Sequence, residues 1–175
     1  MKEIIKKTGI QYGLILGLIF ALFSVYIHLV DTELIVNVWA GFFTLLLNVA
    51  IGIFAILAVK KQLGGLIVFK DAFSTYFLTV LVGSAINVVV LLLLYYVILS
   101  PEKLEALKQL YINFNVKMIN QNFAQAENLN EIIEQYKLFN PFVFSEVVIA
   151  AAKFLLRDCL IGFLVALIMR NQKAL

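Results

Sequence analysis

The sequence predicts an all-α fold: an integral membrane four-helix bundle with an extracytoplasmic helical segment between spans three and four. Of the 175 residues, 63% are hydrophobic and 14% are charged, whereas soluble domains are about 45–50% apolar and about 25% charged. Four runs are long enough to cross a bilayer, since about 20 mainly apolar residues cover a ~30 Å hydrocarbon layer. Lysine and arginine gather at the ends of these runs. We therefore expect a single membrane domain over 1–175 rather than two domains in series.

The predicted spans lie at about 10–30, 36–59, 72–99 and 147–169. We interpret each as a helix because a lipid-exposed backbone must satisfy its own hydrogen bonds, and the runs lack the alternation of a barrel strand. The basic N-terminus resembles the start of a signal peptide. Because no small-residue cleavage site follows it, the first run is interpreted as a retained span. The fourth run is the least apolar, since it contains Lys153, Arg157 and Asp158.

The distribution of positive charge predicts that both termini are cytoplasmic, because Lys and Arg near span ends stay on the inner side. The residues that mark this side are Lys2, Lys6, Lys7, Lys60, Lys61, Lys70, Arg170 and Lys173. The first connection contains Asp31 and Glu33 but no Lys or Arg, so it belongs outside. The longer connection, Ser100 to Phe144, has a slightly negative net charge when Glu127 is counted. This charge is compatible with export.

The connection between spans three and four is predicted to contain helix. Ser100, Pro101 and Glu102 supply a capping hydroxyl, a first-turn proline and a first-turn acid, which is typical of a helix start. Apolar residues on one face of this helix are Leu104, Leu107, Tyr111, Phe114 and Met118. Asn140-Pro141 interrupts the segment. The apolar face either docks a partner or lipid or, as we favour, folds onto its own bundle.

Small residues predict close helix packing. The glycines expected to permit it are Gly9, Gly13, Gly17, Gly52, Gly83 and Gly162. The first three recur every four residues and so form one stripe on span one, where a neighbouring backbone can approach. Packing inside the bundle is the favoured interpretation, and homodimerisation through this stripe is the alternative.

Polar residues near the middle of the spans form the candidate site: Asn48, Asn87, Arg157 and Asp158. An ionised group at that depth costs at least about 2.5–3.5 kcal/mol, so it faces the bundle interior or water and finds a partner. Arg157 and Asp158 point about 100° apart on a helix, so we expect each to pair with another span. Asn48 and Asn87 are the expected partners of Asp158. Interhelical hydrogen bonding is favoured over a transport or proton site.

The sequence offers no catalytic, cofactor-binding or metal-binding pattern. The single cysteine, Cys159, excludes an internal disulfide and has no second thiol at metal-ligand spacing. The single histidine, His28, lies at the outer end of span one and is interpreted as an ordinary interfacial residue. The positive charges mark span ends rather than one patch, so no nucleic-acid partner is expected.

The turn between spans two and three resembles a known family. The residues that carry the resemblance run from Lys60-Lys61 through Gly64-Gly65 to Phe69-Lys70-Asp71-Ala72-Phe73, together with the opening at residues 12–17 and the ending at residues 161–168. They resemble domain-of-unknown-function family 4199, small four-helix bacterial membrane proteins. The resemblance implies a bacterial inner-membrane location and no established activity or catalytic residues.

On this basis the chain is expected to be a non-enzymatic accessory or scaffold protein of the bacterial inner membrane. Its expected partners are the lipid bilayer and, as an open possibility, a second copy or another membrane protein. The alternative is a small-solute or proton permease that uses the midplane polar residues. An intramembrane enzyme is disfavoured because no nucleophile and base can be assembled from the spans.

Overall fold

The computed structural model describes residues 1–122 and 129–171, and its regular structure there is entirely helical. The α-helices are α1 (Lys2–Leu29), α2 (Val38–Gln62), α3 (Phe69–Leu93), α4 (Pro101–Asn122), α5 (Leu129–Leu138) and α6 (Phe144–Met169). A 3-10 helix, Thr32–Val36, joins α1 to α2, and a π-helical turn, Leu94–Ile98, extends α3. The prediction of an all-α fold is confirmed. Glu127 and Lys173, used above to assign orientation, lie outside the described residues.

Within the described ranges, three helices are long and apolar enough to cross a membrane: α1, α2, and α3 with its π extension to Ile98. The 26-residue α6 has the length of a span, but Lys153, Arg157 and Asp158 lie in its middle and separate it from the other three. The helices are therefore those of a membrane protein in length and composition for three of the four predicted spans.

Helix α3 is central, since it packs against α1, α2 and α6, while α2 also touches α1 and α6. One end of this arrangement, here called the basic end, joins three separate parts of the chain. Gln62 Nε2 of α2 donates to Thr8 Oγ1 of α1 at 3.3 Å, and Lys60 Nζ donates to the Met169 carbonyl of α6 at 3.3 Å. The Gly64-Gly65 turn beside them has positive φ at both residues, as a tight turn between antiparallel helices requires.

The 3-10 helix and the start of α4 lie at the opposite end. The amide of Lys103 donates to Ser100 Oγ at 3.3 Å, as the capping pattern predicts. Lys103 Nζ donates to the Leu29 carbonyl at the end of α1. Leu94, Leu99 and Leu107 form a small buried cluster, so the root of α4 is fixed on the end of α3.

The apolar face predicted for α4 is covered only in part, since Tyr111 and Phe114 beyond Leu107 are half-buried. The buried residues are Leu107, Ile112 and Ile119, whereas Met118 is exposed. Apolar residues occur around much of this helix. Those that are covered are determined by its contacts with the 3-10 helix and with α5. The ring of Tyr111 lies 6.2 Å from that of Phe139, just beyond α5.

The fully buried ring of Tyr76 lies between α2 and α6. A Cβ added at Gly52 or at Gly162 would overlap this ring from either side. On the other side of α3, Gly13 and Gly17 of α1 lie directly against Val82 and Ile86. Gly9 and Gly83 are similarly close to Leu78 and Leu16, so the glycines lie at contacts between helices of this one chain.

Gly162→Ala is expected to lower the free energy of unfolding by about 1–3 kcal/mol, because the added methyl group must displace a ring that has no free space. The matched control is Gly41→Ala, where nothing lies within 4 Å of the new Cβ and helix propensity changes stability by at most about 1 kcal/mol in favour of alanine. Thermal unfolding in detergent micelles measures both variants. Equal midpoints for the two would show that the Tyr76 layer is not tightly packed.

Candidate functional site

A cavity of about 400 Å³ lies between α1, α2, α3 and α6. It extends from the middle of the helices towards the end that carries the 3-10 helix. Its polar lining residues include Ser24, His28, Asn37, Thr44, Asn48, Ser84, Asn87, Tyr95, Arg157 and Asp158. Its larger apolar lining residues include Phe20, Phe23, Ile27, Leu91 and Phe154. All four of the predicted midplane polar residues thus line one cavity.

Asp158 of α6 anchors the inner end of the cavity. Asn48 Nδ2 of α2 donates to Asp158 Oδ2 at 2.9 Å, and both side chains are almost fully buried, with 3% and 1% of their surface exposed. Arg157 Nε and Nη2 lie 3.0 Å and 2.8 Å from Asp158 Oδ1. Both carboxylate oxygens are therefore occupied, one by an amide and one by an edge of the guanidinium.

The expectation that Arg157 and Asp158 do not pair with each other is wrong. Their Cα–Cβ bonds do diverge, but the arginine side chain is long enough to turn back along the helix and reach the neighbouring carboxylate. The Phe154 ring supports this turn, with the guanidinium carbon 5.1 Å from the ring centre, a distance at which a cation is attracted to an aromatic face. Pairing with the adjacent residue leaves α6 free of an unpaired buried charge.

Asn87 lies in the same cavity but in a second hydrogen-bond group, not with Asp158. Ser24 Oγ donates to Asn87 Oδ1 at 2.7 Å. His28 Nδ1 lies 2.7 Å from the Ser24 carbonyl, and His28 Nε2 lies 2.9 Å from the Tyr95 hydroxyl. Because a carbonyl only accepts, Nδ1 donates, and Nε2 of the neutral ring accepts from Tyr95.

This second group was not predicted from the sequence. His28 is 3% exposed, so it is not the interfacial residue that its position at a span end indicated. The available signal was spacing, since Ser24 and His28 are four residues apart and share one face of α1. Nothing in the sequence joins them to Tyr95, which belongs to another helix.

Two buried polar atoms have no hydrogen-bond partner in the described part of the chain: Asn48 Oδ1 and the Tyr76 hydroxyl. Such atoms are rare because each loses its hydration without compensation. They lie in adjacent layers. Gly52 follows Asn48 by four residues, and Gly162 follows Asp158 by four, so the Tyr76 ring lies about 6 Å, little more than one helical turn, closer to the basic end than the Asn48–Asp158 pair.

The guanidinium of Arg157 retains hydrogen-bonding capacity. Nε and Nη2 contact Asp158, while Nη1 has no hydrogen bond within residues 1–122 and 129–171. The side chain is 38% exposed. Cys159 is partly exposed and does not line the cavity. Among the described residues, no group of three His, Cys, Asp or Glu side chains is placed to hold a metal ion.

The fold and the cavity together define a class: a protein with apolar helices of membrane-spanning length that line a cavity with a polar inner end. The chain belongs to the family described as "Protein of unknown function (DUF4199)", whose model matches residues 11–171. This confirms the resemblance seen in the sequence. No curated protein and no solved structure matches the chain.

Asn48→Ala is expected to lower the free energy of unfolding by about 1–3 kcal/mol, because Asp158 Oδ2 then loses its buried donor. Thr44→Ala is the control, since Thr44 lies one turn away on the same helix and its hydroxyl bonds only to the Gly41 carbonyl of that helix. Unfolding in micelles is measured for both. An Asn48→Ala variant no less stable than Thr44→Ala would mean that the Asn48–Asp158 bond contributes nothing.

Tyr76→Phe is expected to keep or raise stability, because it removes a buried hydroxyl without a partner and preserves the ring. Tyr76→Ala is expected to lose about 3–5 kcal/mol, since it empties the space between the two glycines. The same unfolding measurement compares the two. A loss of more than about 1 kcal/mol in Tyr76→Phe would show that the hydroxyl does form a hydrogen bond.

Proposed function

We propose that the chain is a four-span protein of the bacterial cytoplasmic membrane that binds a small solute in its cavity, with access from outside. Both termini lie in the cytoplasm in this proposal. Binding from one side is the first step of the permease hypothesis. The competing proposal is the non-enzymatic accessory or scaffold protein that the sequence favours. Neither involves bond-making chemistry, a cofactor or a metal.

The surface of α6 supports its assignment as the fourth span. Its exposed large apolar residues are Phe144, Val148, Ile149, Phe154, Leu156, Leu160, Phe163, Leu164 and Ile168. A continuous apolar surface of this kind is typical of contact with lipid or with another protein. Arg157 and Asp158, the charged pair that makes α6 less apolar than the other long helices, compensate each other's charge. Asp158 is buried and is bound by both Asn48 and Arg157. Pairing of this kind is how ionisable side chains are tolerated within a bilayer.

The orientation follows from the two ends of the bundle. Lys60, Lys61 and Lys70 lie at the basic end, beside the start of α1 and the end of α6. Positive residues near span ends favour the cytoplasmic side. The cavity is lined at its other extreme by Leu34, Ile35 and Asn37 of the first connection. The cavity therefore faces outside in this orientation.

One observation carries the proposal: a cavity of about 400 Å³ with a polar inner end reaches the side chain of Asn48, whose buried Oδ1 has no partner within the described residues. Side chains that only hold helices together satisfy one another, whereas this acceptor and Nη1 of Arg157 have no hydrogen bond in the described part of the chain. The volume falls within the range of about 300–1,000 Å³ that is usual for small-molecule sites.

The other half of the bundle is packed and supports one-sided access. Below the polar cluster, towards the basic end, lie the fully buried Tyr76, Ile56 and Val59, with Ala166 of α6 beside them. This packing supports a binding state in which the cavity opens to one side. Release to the cytoplasm requires this packed half to open, so the proposal assigns binding rather than an open pore.

The test is the reaction of cavity cysteines with a membrane-impermeant methanethiosulfonate reagent, added to intact cells. Thr44→Cys and Leu46→Cys are made in a Cys159→Ser background. Thr44 lines the cavity, whereas Leu46, two residues further along α2, is 65% exposed on the outer surface of the bundle. Because the reagent reacts with a thiolate in water, Thr44→Cys is expected to react at least about ten times faster than Leu46→Cys.

Equal and slow reaction at both positions would show that water does not reach the cavity. The accessory proposal would then replace solute binding. Reaction of Thr44→Cys only in inverted membranes would place the cavity on the cytoplasmic side and overturn the orientation.

A further inference from the structure

The charges that line the cavity specify the class of solute, an inference that rests on the proposed function. We propose that the solute is a small zwitterion, an α-amino acid with an apolar side chain. Its carboxylate binds the free edge of the Arg157 guanidinium, and its ammonium group lies against the acceptors at the Asn48–Asp158 pair. The net charge, the position of the two polar poles and the apolar wall each support this class.

The cavity has no net charge among its described lining residues. Arg157 and Asp158 are its charged pair, and Nη2 lies 2.8 Å from Oδ1. His28 has both ring nitrogens in the hydrogen bonds of a neutral ring. A solute with a net charge would bring an uncompensated charge among buried groups, which is strongly unfavourable. The site therefore selects a solute whose own charges cancel.

The same cluster presents a donor and an acceptor side by side. On the donor side, Nη1 of Arg157 has no hydrogen bond to the residues that the structure describes, and it adjoins Nη2 on one planar edge, the geometry that binds a carboxylate through two parallel hydrogen bonds. On the acceptor side, Asn48 Oδ1 has no partner in the described chain, and the Asp158 carboxylate is next to it. A molecule with adjacent anionic and cationic groups matches both poles, whereas a simple acid or amine matches one.

The rest of the cavity suits an apolar side chain. Phe20, Phe23 and Ile27 of α1, Leu91 of α3 and Phe154 of α6 form its large apolar wall. These residues surround the polar inner end without adding charge. An amino acid whose side chain is aliphatic or aromatic would place that side chain against this wall and remove it from water.

The test is protection of Thr44→Cys from the impermeant reagent by three matched sets of probes. Alanine, leucine and phenylalanine are each compared with the deaminated acid and the decarboxylated amine of the same carbon skeleton, all at one concentration. At least one amino acid is expected to slow the reaction about tenfold, while its acid and amine leave the rate unchanged.

Arg157→Lys tests the assigned contact. Lysine keeps the positive charge that compensates Asp158 but lacks the planar edge for two parallel hydrogen bonds. The concentration of amino acid that gives half-protection is expected to rise about tenfold. The control is Lys153→Arg on the same helix, an exposed position that does not line the cavity, and its half-protecting concentration is expected to stay unchanged. Unfolding midpoints for both variants establish that each is folded.

Four results would overturn the inference. Protection by the acid or amine as strong as by the amino acid would assign a charged solute. Absence of protection by all nine probes, with Thr44→Cys still reactive, would reject the zwitterion while leaving the water-filled cavity in place. Unchanged half-protection in a folded Arg157→Lys variant would remove Arg157 from the contact. An unreactive Thr44→Cys would reject the proposed function itself, and the inference with it.

Discussion

The ring of Tyr76 determines the spacing of the helices on which the rest of the structure depends. Because Gly52 and Gly162 have no side chains, α2 and α6 can both approach this ring. The layer is fully buried, and it lies one helical turn closer to the basic end than the Asn48–Asp158 pair. Tyr76 thus holds α2 and α6 at a distance that brings the asparagine and the aspartate within a hydrogen bond of 2.9 Å. The cavity begins directly above, where the packed layer ends.

The polar cluster has a structural part and an open part. The bonds from Asn48 and Arg157 to Asp158 satisfy the most deeply buried charge, and a bundle held only by such bonds would need nothing else. Asn48 Oδ1 and Nη1 of Arg157, which have no hydrogen bond within the described residues, are in excess of that need. This excess at the end of a cavity is the feature that favours the binding proposal over interhelical hydrogen bonding alone.

Much of the fold could be predicted from the sequence, because the length of the apolar runs, their composition and the positions of the lysines are local properties of the chain. The start of α4 at Ser100 and the Gly64-Gly65 turn are of this kind. The hydrogen-bonded pairs within the candidate site were harder to predict from the sequence. Helical spacing gives the direction of Cβ but not the reach of a long side chain, so the Arg157–Asp158 pair was missed. The His28–Tyr95 contact joins two residues that lie on different helices and are 67 positions apart in the sequence. No local pattern encodes that proximity.

The position of charge along α6 explains why this helix differs from the other three. A helix that only anchors the chain gains nothing from an aspartate about 21 Å from its start at Phe144, 14 residues at about 1.5 Å each. In α6 the aspartate is buried, and its compensating arginine is half-exposed on the cavity side. The arrangement keeps the helix neutral while presenting a guanidinium edge to the cavity. The charged pair that makes α6 the least hydrophobic of the four long packed helices is therefore the same pair that forms the polar end of the cavity.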